Sequence, residues 1–144
     1  MDTAPLTDAD EALLDHATEL NRETFDADFL DGAHIVAASV RTADGAVYDG
    51  VSLPASIGRA STCAEPGAVS AAIADGHRHD EIEACVAVAF PMPEHDADEA
   101  RPIPPCGVCR ELLADYNPEM RVVVPLDGEN RAVRASELLP VRPW

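Results

Sequence analysis

Apolar residues recur along this chain with two different periods, and the places where the period changes mark out its elements. Between residues 8 and 24, Ala12, Leu13, His16, Ala17 and Leu20 fall on one stripe at helical spacing, predicting an amphipathic helix. Ile35 to Thr42 reads as a strand, Ala43-Asp44-Gly45-Ala46 as a turn, and Val47 to Leu53 as the returning strand. Asp-Gly between two such runs is a hairpin signal. After a loop from Pro54 to Thr62, a helix is predicted from about Cys63 to Asp75, closed by Gly76. Ile82 to Phe90 has few polar interruptions and reads as a central strand buried on both faces. Pro91 to Pro105 carries five prolines and a cluster of acids, which predicts an irregular surface loop. A helix from about Gly107 to Tyr116 follows, then a strand from Arg121 to Pro125. An Asp127-Gly128 turn, a short strand from Arg131 to Arg134 and a helical turn at Ser136 to Leu139 complete the pattern.

The order α-β-β-α-β-α-β predicts an α/β domain with helices on both faces of a mixed sheet. A length of 144 residues suits one such domain with a single core, spanning 1–144. A hydrophobic fraction of 47% supports a packed interior, and no internal repeat is visible.

Charge changes the picture of the surroundings more than that of the fold. There are 27 acidic residues against 10 basic ones, a formal net charge of −17, and every basic residue is arginine. Such a surface strains the compact state by self-repulsion, so a halophilic protein whose carboxylates are screened by salt is expected. The same sign argues against a nucleic-acid partner, which requires clustered basic residues. No run approaches the roughly 20 apolar residues needed to span a bilayer. The acidic start Met1 to Asp8 is unlike a secretory leader, so a cytoplasmic protein is expected.

Four cysteines remain to be placed, and in a cytosolic setting their spacing points to metal or catalysis before disulfides. Cys85 lies inside the apolar run 82–90 and reads as core. Cys106 and Cys109 are three apart where a helix begins, so both lie on one face of its first turn. Amides and partial positive charge there favour thiolate, the form that binds metal. Cys63 is also placed at a helix start, a placement supported by Pro66. Two helix N-termini can thus converge on one ion with three thiolates, leaving a fourth position for water, as in catalytic zinc sites. Zinc would lower the pKa of that water to about 7. Glu65, two residues past the first ligand, is placed to shuttle protons without binding the metal.

Simpler readings compete at several positions. A structural zinc site would need a fourth ligand from His34, His77, His79 or His95. A Cys106–Cys109 disulfide is a second alternative. His77 and His79 read as a solvated helix cap, and the run Glu94 to Glu99 as a solvated loop. Trp144 reads either as a packing residue or as a lid over a neighbouring subunit's site.

The segments Thr62-Cys63-Ala64-Glu65 and Pro104-Pro105-Cys106-Gly107-Val108-Cys109-Arg110 resemble the zinc signature of the cytidine deaminase superfamily. Within it the chain is similar to the small three-cysteine branch of homotetrameric cytidine deaminases and blasticidin S deaminase. The likeness covers residues 8 to 144, including the hairpin from Val36 to Leu53 and the ending Glu137-Leu138-Leu139-Pro140 with a terminal aromatic residue. It implies a three-layer α/β/α domain with a five-stranded mixed sheet, one zinc per subunit, and a tetramer with shared active sites. It also implies a role in nucleoside salvage, converting cytidine or deoxycytidine to the uridine counterpart plus ammonia. Substrate contacts are implied for His34, Ser52, Ala64 and Pro104, the Pro104 carbonyl orienting the leaving amine.

Three departures bear on the substrate. The Asn-x-Glu pair that holds ribose in this branch is replaced by Ser52-Leu53-Pro54, and proline cannot supply a carboxylate. The base-stacking aromatic falls on His34. The arginine after the catalytic glutamate is Pro66, leaving Arg59 or Arg110 to balance the charge of a zinc trithiolate. The same chemistry on another aminated heterocycle, and a non-catalytic zinc-stabilised binding module, therefore stand as alternatives.

Overall fold

The computed structural model describes residues 1–94 and 98–141. His95, the middle of the acidic run and Trp144 lie outside the described residues.

A capping box begins α1 (Asp8–Thr24). The Thr7 hydroxyl accepts from the Asp10 amide while the Asp10 carboxylate accepts from the Thr7 amide. Asp10 is fully buried and also receives the guanidinium groups of Arg41 and Arg121, tying the helix start to two strands. Burial alone would raise its pKa, but the hydrogen bonds from Arg121 and Thr7 outweigh it and hold the carboxyl below its ordinary value. The buried stripe is Asp10, Leu13, Leu14, Ala17 and Asn21, rotated from the one predicted. Ala12 and His16 face solvent, and His16 is held outside by Asp49 at 2.9 Å.

The sheet is built from β1 (Thr3–Pro5), β2 (Val36–Thr42), β3 (Val47–Val51), β4 (Ile82–Ala89), β5 (Arg101–Ile103), β6 (Arg121–Leu126) and β7 (Glu129–Arg134). Its order is β1-β7-β6-β4-β2-β3, with β5 beside β4. β4 and β6 run parallel; the other pairs are antiparallel, so the sheet is mixed. The sheet has seven strands where five are expected. β1 is a short edge strand on β7, and Arg101–Ile103 lies in the stretch expected to be irregular. Proline is tolerated in both because edge strands do not need every amide. β5 pairs with the end of β4 that β6 leaves free: Ile103 opposes Ala87, while β6 reaches only Ala84 and Cys85.

Strand alternation splits β4 between two cores. Ala84, Val86 and Val88 pack with Leu13, Leu14 and Ala17 of α1 on one face. Cys85 and Ala87 join Leu113, Val122 and Val69 on the other, beneath α2 (Glu65–Ala74) and α3 (Gly107–Tyr116). Three layers result: α1, the sheet, and the α2–α3 pair.

The placement of α2 depends on a close backbone approach. A Cβ at Gly50 of β3 would meet the Ala64 carbonyl oxygen, and would come within 2.5 Å of the Ala68 nitrogen and 2.9 Å of Gly67 carbon. The first turn of α2 therefore lies directly on β3, and the constraint at position 50 is space. Gly50→Ala is expected to push α2 outward, costing about 1–3 kcal/mol by overpacking. The urea midpoint should fall, and bound zinc per chain should fall with it, because Cys63 and Glu65 move with the helix.

Candidate active site

The loop from β3 to α2 is closed by a two-way backbone pair between Leu53 and Thr62, each amide donating to the other's carbonyl at 3.0 Å. This pair fixes the residue that follows, Cys63. Helix α2 starts at Glu65, two residues later than expected, so Cys63 precedes the helix, Ala64 is its N-cap and Pro66 sits in its first turn. Cys106 is the N-cap of α3 and Cys109 lies in its first turn.

The fold brings the three sulfurs together. All lie within 4.8 Å of one another, and Cys63 Sγ is 3.3 Å from Cys106 Sγ. Zinc–sulfur bonds of about 2.3 Å in tetrahedral geometry put sulfurs about 3.8 Å apart, so small adjustments suffice to ligate one ion. Among the described residues this is the one cluster of three or more such groups able to hold a metal. Cys109 is buried, Cys63 half-buried and Cys106 exposed, so the cluster opens to one side.

Glu65 stands beside the cluster and not within it. The residue is 3 % exposed, and its carboxylate lies 3.3 Å from Cys109 Sγ, which donates to Oε2. The electrostatics separate the thiols. Burial pushes Cys63 and Cys109 up, with Cys109 raised further by the Glu65 charge. Burial opposes ionisation of Cys106 too, but the amides of Cys109 and Val108 and the Cys63 thiol outweigh it, and its pKa is lowered. The helix-terminus argument therefore holds for Cys106 alone. Three thiols form a donor set of potential anions that a soft-accepting divalent cation satisfies, and the buried Glu65 carboxylate stands beside them as a further negative charge that the cation offsets. The residues fit zinc.

The described histidines are engaged elsewhere. His77 contacts the Tyr48 hydroxyl at 2.8 Å and Glu81 at 3.2 Å, and His79 contacts the Tyr116 carbonyl at 2.7 Å, near the far ends of α2 and α3. His34 Nδ1 lies 2.9 Å from the Ser52 carbonyl. Cys85 is buried in β4, its thiol pKa raised by burial, as a core residue's would be.

A cavity of about 400 Å³ opens over the sulfurs, within the usual range for ligand pockets. Cys63, Ala64, Glu65, Pro104 and Cys106 form its reactive end. Val36, Ser52, Thr62 and Ile103 supply other walls. Val36 and Ile103 carry no motif; their role arises from strand pairing, and Ile103 sits in the stretch expected to be loop. The Ser52 hydroxyl accepts the Val36 amide at 3.0 Å, leaving its own proton free to donate. His34 lies outside this cavity, in an adjoining one of about 230 Å³ that shares Ser52, Ser61 and Thr62 with it and includes Pro54. Arg110 Nε donates to the Pro105 carbonyl at 2.8 Å, bracing the turn before Cys106. Arg59 is exposed on a turn at 58–60.

No protein-family model matches the chain. It is 32% identical over 142 residues to the blasticidin-S deaminase of Bacillus cereus, covering 99% of this chain and 97% of that protein. It is 33% identical over 107 residues to the cytidine deaminase of Halalkalibacterium halodurans, covering 73% and 74%. Among solved structures, it aligns with the cytidine deaminase of Burkholderia pseudomallei at 30% identity and a TM-score of 0.70, covering 94% of this chain and 98% of that one.

Proposed function

The chain belongs to the cytidine deaminase family, blasticidin-S deaminase included, and on that premise we propose that it is a zinc-dependent hydrolase. It replaces the exocyclic amine of an aminopyrimidine by a carbonyl, most simply cytidine or deoxycytidine, releasing ammonia. The observation that carries this reading is the position of Glu65: buried, at the wall of the cavity, beside the three sulfurs but outside their cluster. A purely structural metal site has no use for such a carboxylate.

Cys63, Cys106 and Cys109 would hold the ion, one per subunit. Zinc in that position supplies Lewis acidity, bringing the pKa of water near 7. Glu65 accepts the proton of the attacking water at its carboxylate oxygen. It passes that proton to the ring nitrogen beside the amine-bearing carbon, then takes the remaining proton from the added hydroxyl and gives it to the amine, which leaves as ammonia as the carbonyl forms. The Pro104 carbonyl and the Ala64 backbone orient the amine. Val36 and Ile103 flank the ring and keep bulk water from it, which strengthens every charge interaction inside.

The Ser52-Leu53-Pro54 segment favours a second reading of the same chemistry, on a cytosine-bearing compound whose sugar is not ribose. Ammonia release from cytidine, deoxycytidine, cytosine and blasticidin S, measured in parallel, tests both. Turnover of a nucleoside supports the first, blasticidin S alone supports the second, and silence on all four rejects both.

The chain acts as a single domain, assembles as a homotetramer and works in the cytoplasm in nucleoside salvage. None of the helices among the described residues is long and apolar enough to cross a membrane. The net charge of −17 supports a halophilic setting. The Debye length grows from about 3 Å at 1 M salt to about 30 Å at 0.01 M. Dialysis across that range is expected to cost most of the helical circular dichroism; an unchanged spectrum would reject the halophilic assignment.

A further inference from the structure

The arginines are distributed unevenly between surface and site. Nine of the ten lie among the described residues, and six of these pair with carboxylates. Arg59, Arg101 and Arg110 pair with none among the described residues, in a chain where acids outnumber bases 27 to 10. Arg101 has Asp98 and Glu99 as near sequence neighbours and still forms no ion pair with them. All three unpaired arginines belong to segments that frame the cavity. Arg59 precedes Ser61 and Thr62 of its wall, Arg110 braces Pro105, and Arg101 begins β5, whose Ile103 lines it. Two residues apart on one strand, Arg101 and Ile103 project from the same face of the sheet.

Arg101 also lines a second cavity of about 350 Å³ between β5 and the β6–β7 hairpin, together with Asn130, Pro102 and Pro125. Ile103 and Pro104 are common to both cavities. The adjoining cavity on the His34 side is lined by hydroxyls, an imidazole and proline, without an arginine. A guanidinium presents a planar fork of donors that matches the oxygens of a carboxylate or a phosphate, and the Asn130 amide adds further donors.

We propose that the cavity formed by Arg101 and Asn130 beside the site binds an anionic group, carboxylate or phosphate, carried by the substituent of the aminopyrimidine ring. The proposal rests on the deaminase reading and names its substrate class. Arg101 is the one charged residue among those lining this cavity, so an anionic substituent placed there meets a guanidinium at contact range while the ring keeps its own contacts in the adjoining site.

The zinc-loaded protein is assayed with cytidine, cytidine 5′-monophosphate and the 5′-carboxylic acid of cytidine, all in about 1 M KCl, where only contact-range charge interactions persist. The expected result is a kcat/KM at least tenfold higher for one of the anionic compounds than for cytidine, the preferred one identifying phosphate or carboxylate as the natural group. Arg101→Gln should bring that ratio close to one and Arg101→Lys should restore part of it. Asn130→Ala should lower it to a lesser degree. Circular dichroism confirms that each variant is folded. Cytidine turnover without any anionic preference, or a preference that survives Arg101→Gln, overturns the proposal and leaves the deaminase reading standing. Absence of turnover with these three compounds and with blasticidin S, assayed beside them, overturns both.

Discussion

Glu65→Gln is expected to lower turnover by about 10³- to 10⁴-fold while leaving fold and zinc content unchanged. The amide has nearly the shape of the carboxylate, so packing at this buried position persists. It cannot accept a proton from water, and among the described residues lining the cavity there is no other carboxylate or imidazole. Cys109 Sγ donates to the carboxylate from 3.3 Å, and the Glu65 charge raises its pKa. Removing that charge favours the thiolate, so the variant should hold zinc at least as well as the parent. Zinc per chain and the thermal midpoint are measured beside kcat. A variant that keeps zinc and more than a tenth of the parent kcat would reject Glu65 as the proton carrier.

The second large effect is expected at Cys109. Its side chain is fully buried at the first turn of α3, between the sheet and the start of α2. Serine there offers a hard, weakly acidic oxygen in place of a thiolate. Cys109→Ser should therefore reduce bound zinc from one per chain to a small fraction, and activity should fall with it. Metal affinity is also folding free energy, because the unfolded chain holds no preformed site. The urea midpoint of the variant should match that of the parent treated with a strong chelator, and added zinc should restore the parent but not the variant. Protons compete with the metal for the thiols, so the parent should lose zinc progressively as pH falls. Full zinc occupancy in Cys109→Ser would contradict the three-sulfur assignment.

The parts of this molecule that were legible in its sequence are those set by local chemistry. Helix α3 begins and ends where its pattern says, and α1 spans the residues 8 to 24 that its apolar stripe marked. The central strand reads as buried on both faces because it is, with alternate residues in two different cores. The sulfurs and Glu65 were legible because two short motifs placed them, each near the start of a helix. What was not legible arises from pairing at a distance. β1 and β5 are three residues each and have no periodicity to reveal them; the prolines in each argue against a strand unless the edge position is known. Ile103 becomes a wall of the site only once β5 is docked on β4. Gly50 looks like an ordinary strand glycine, and only the contact with Gly67 and Ala64 shows why no Cβ fits. On α1, period alone did not decide which way the helix faced, since the buried Asp10 and the outward His16 are settled by arginines and an aspartate on other elements.

The most direct test of metal-dependent deamination is ammonia release from cytidine and blasticidin S by the chelator-stripped protein, before and after addition of one equivalent of zinc, in about 1 M KCl. Negligible release from the stripped protein, with turnover of at least one substrate restored by zinc, is the expected result. Equal release with and without zinc, or none from either substrate with one zinc bound per chain, would contradict it.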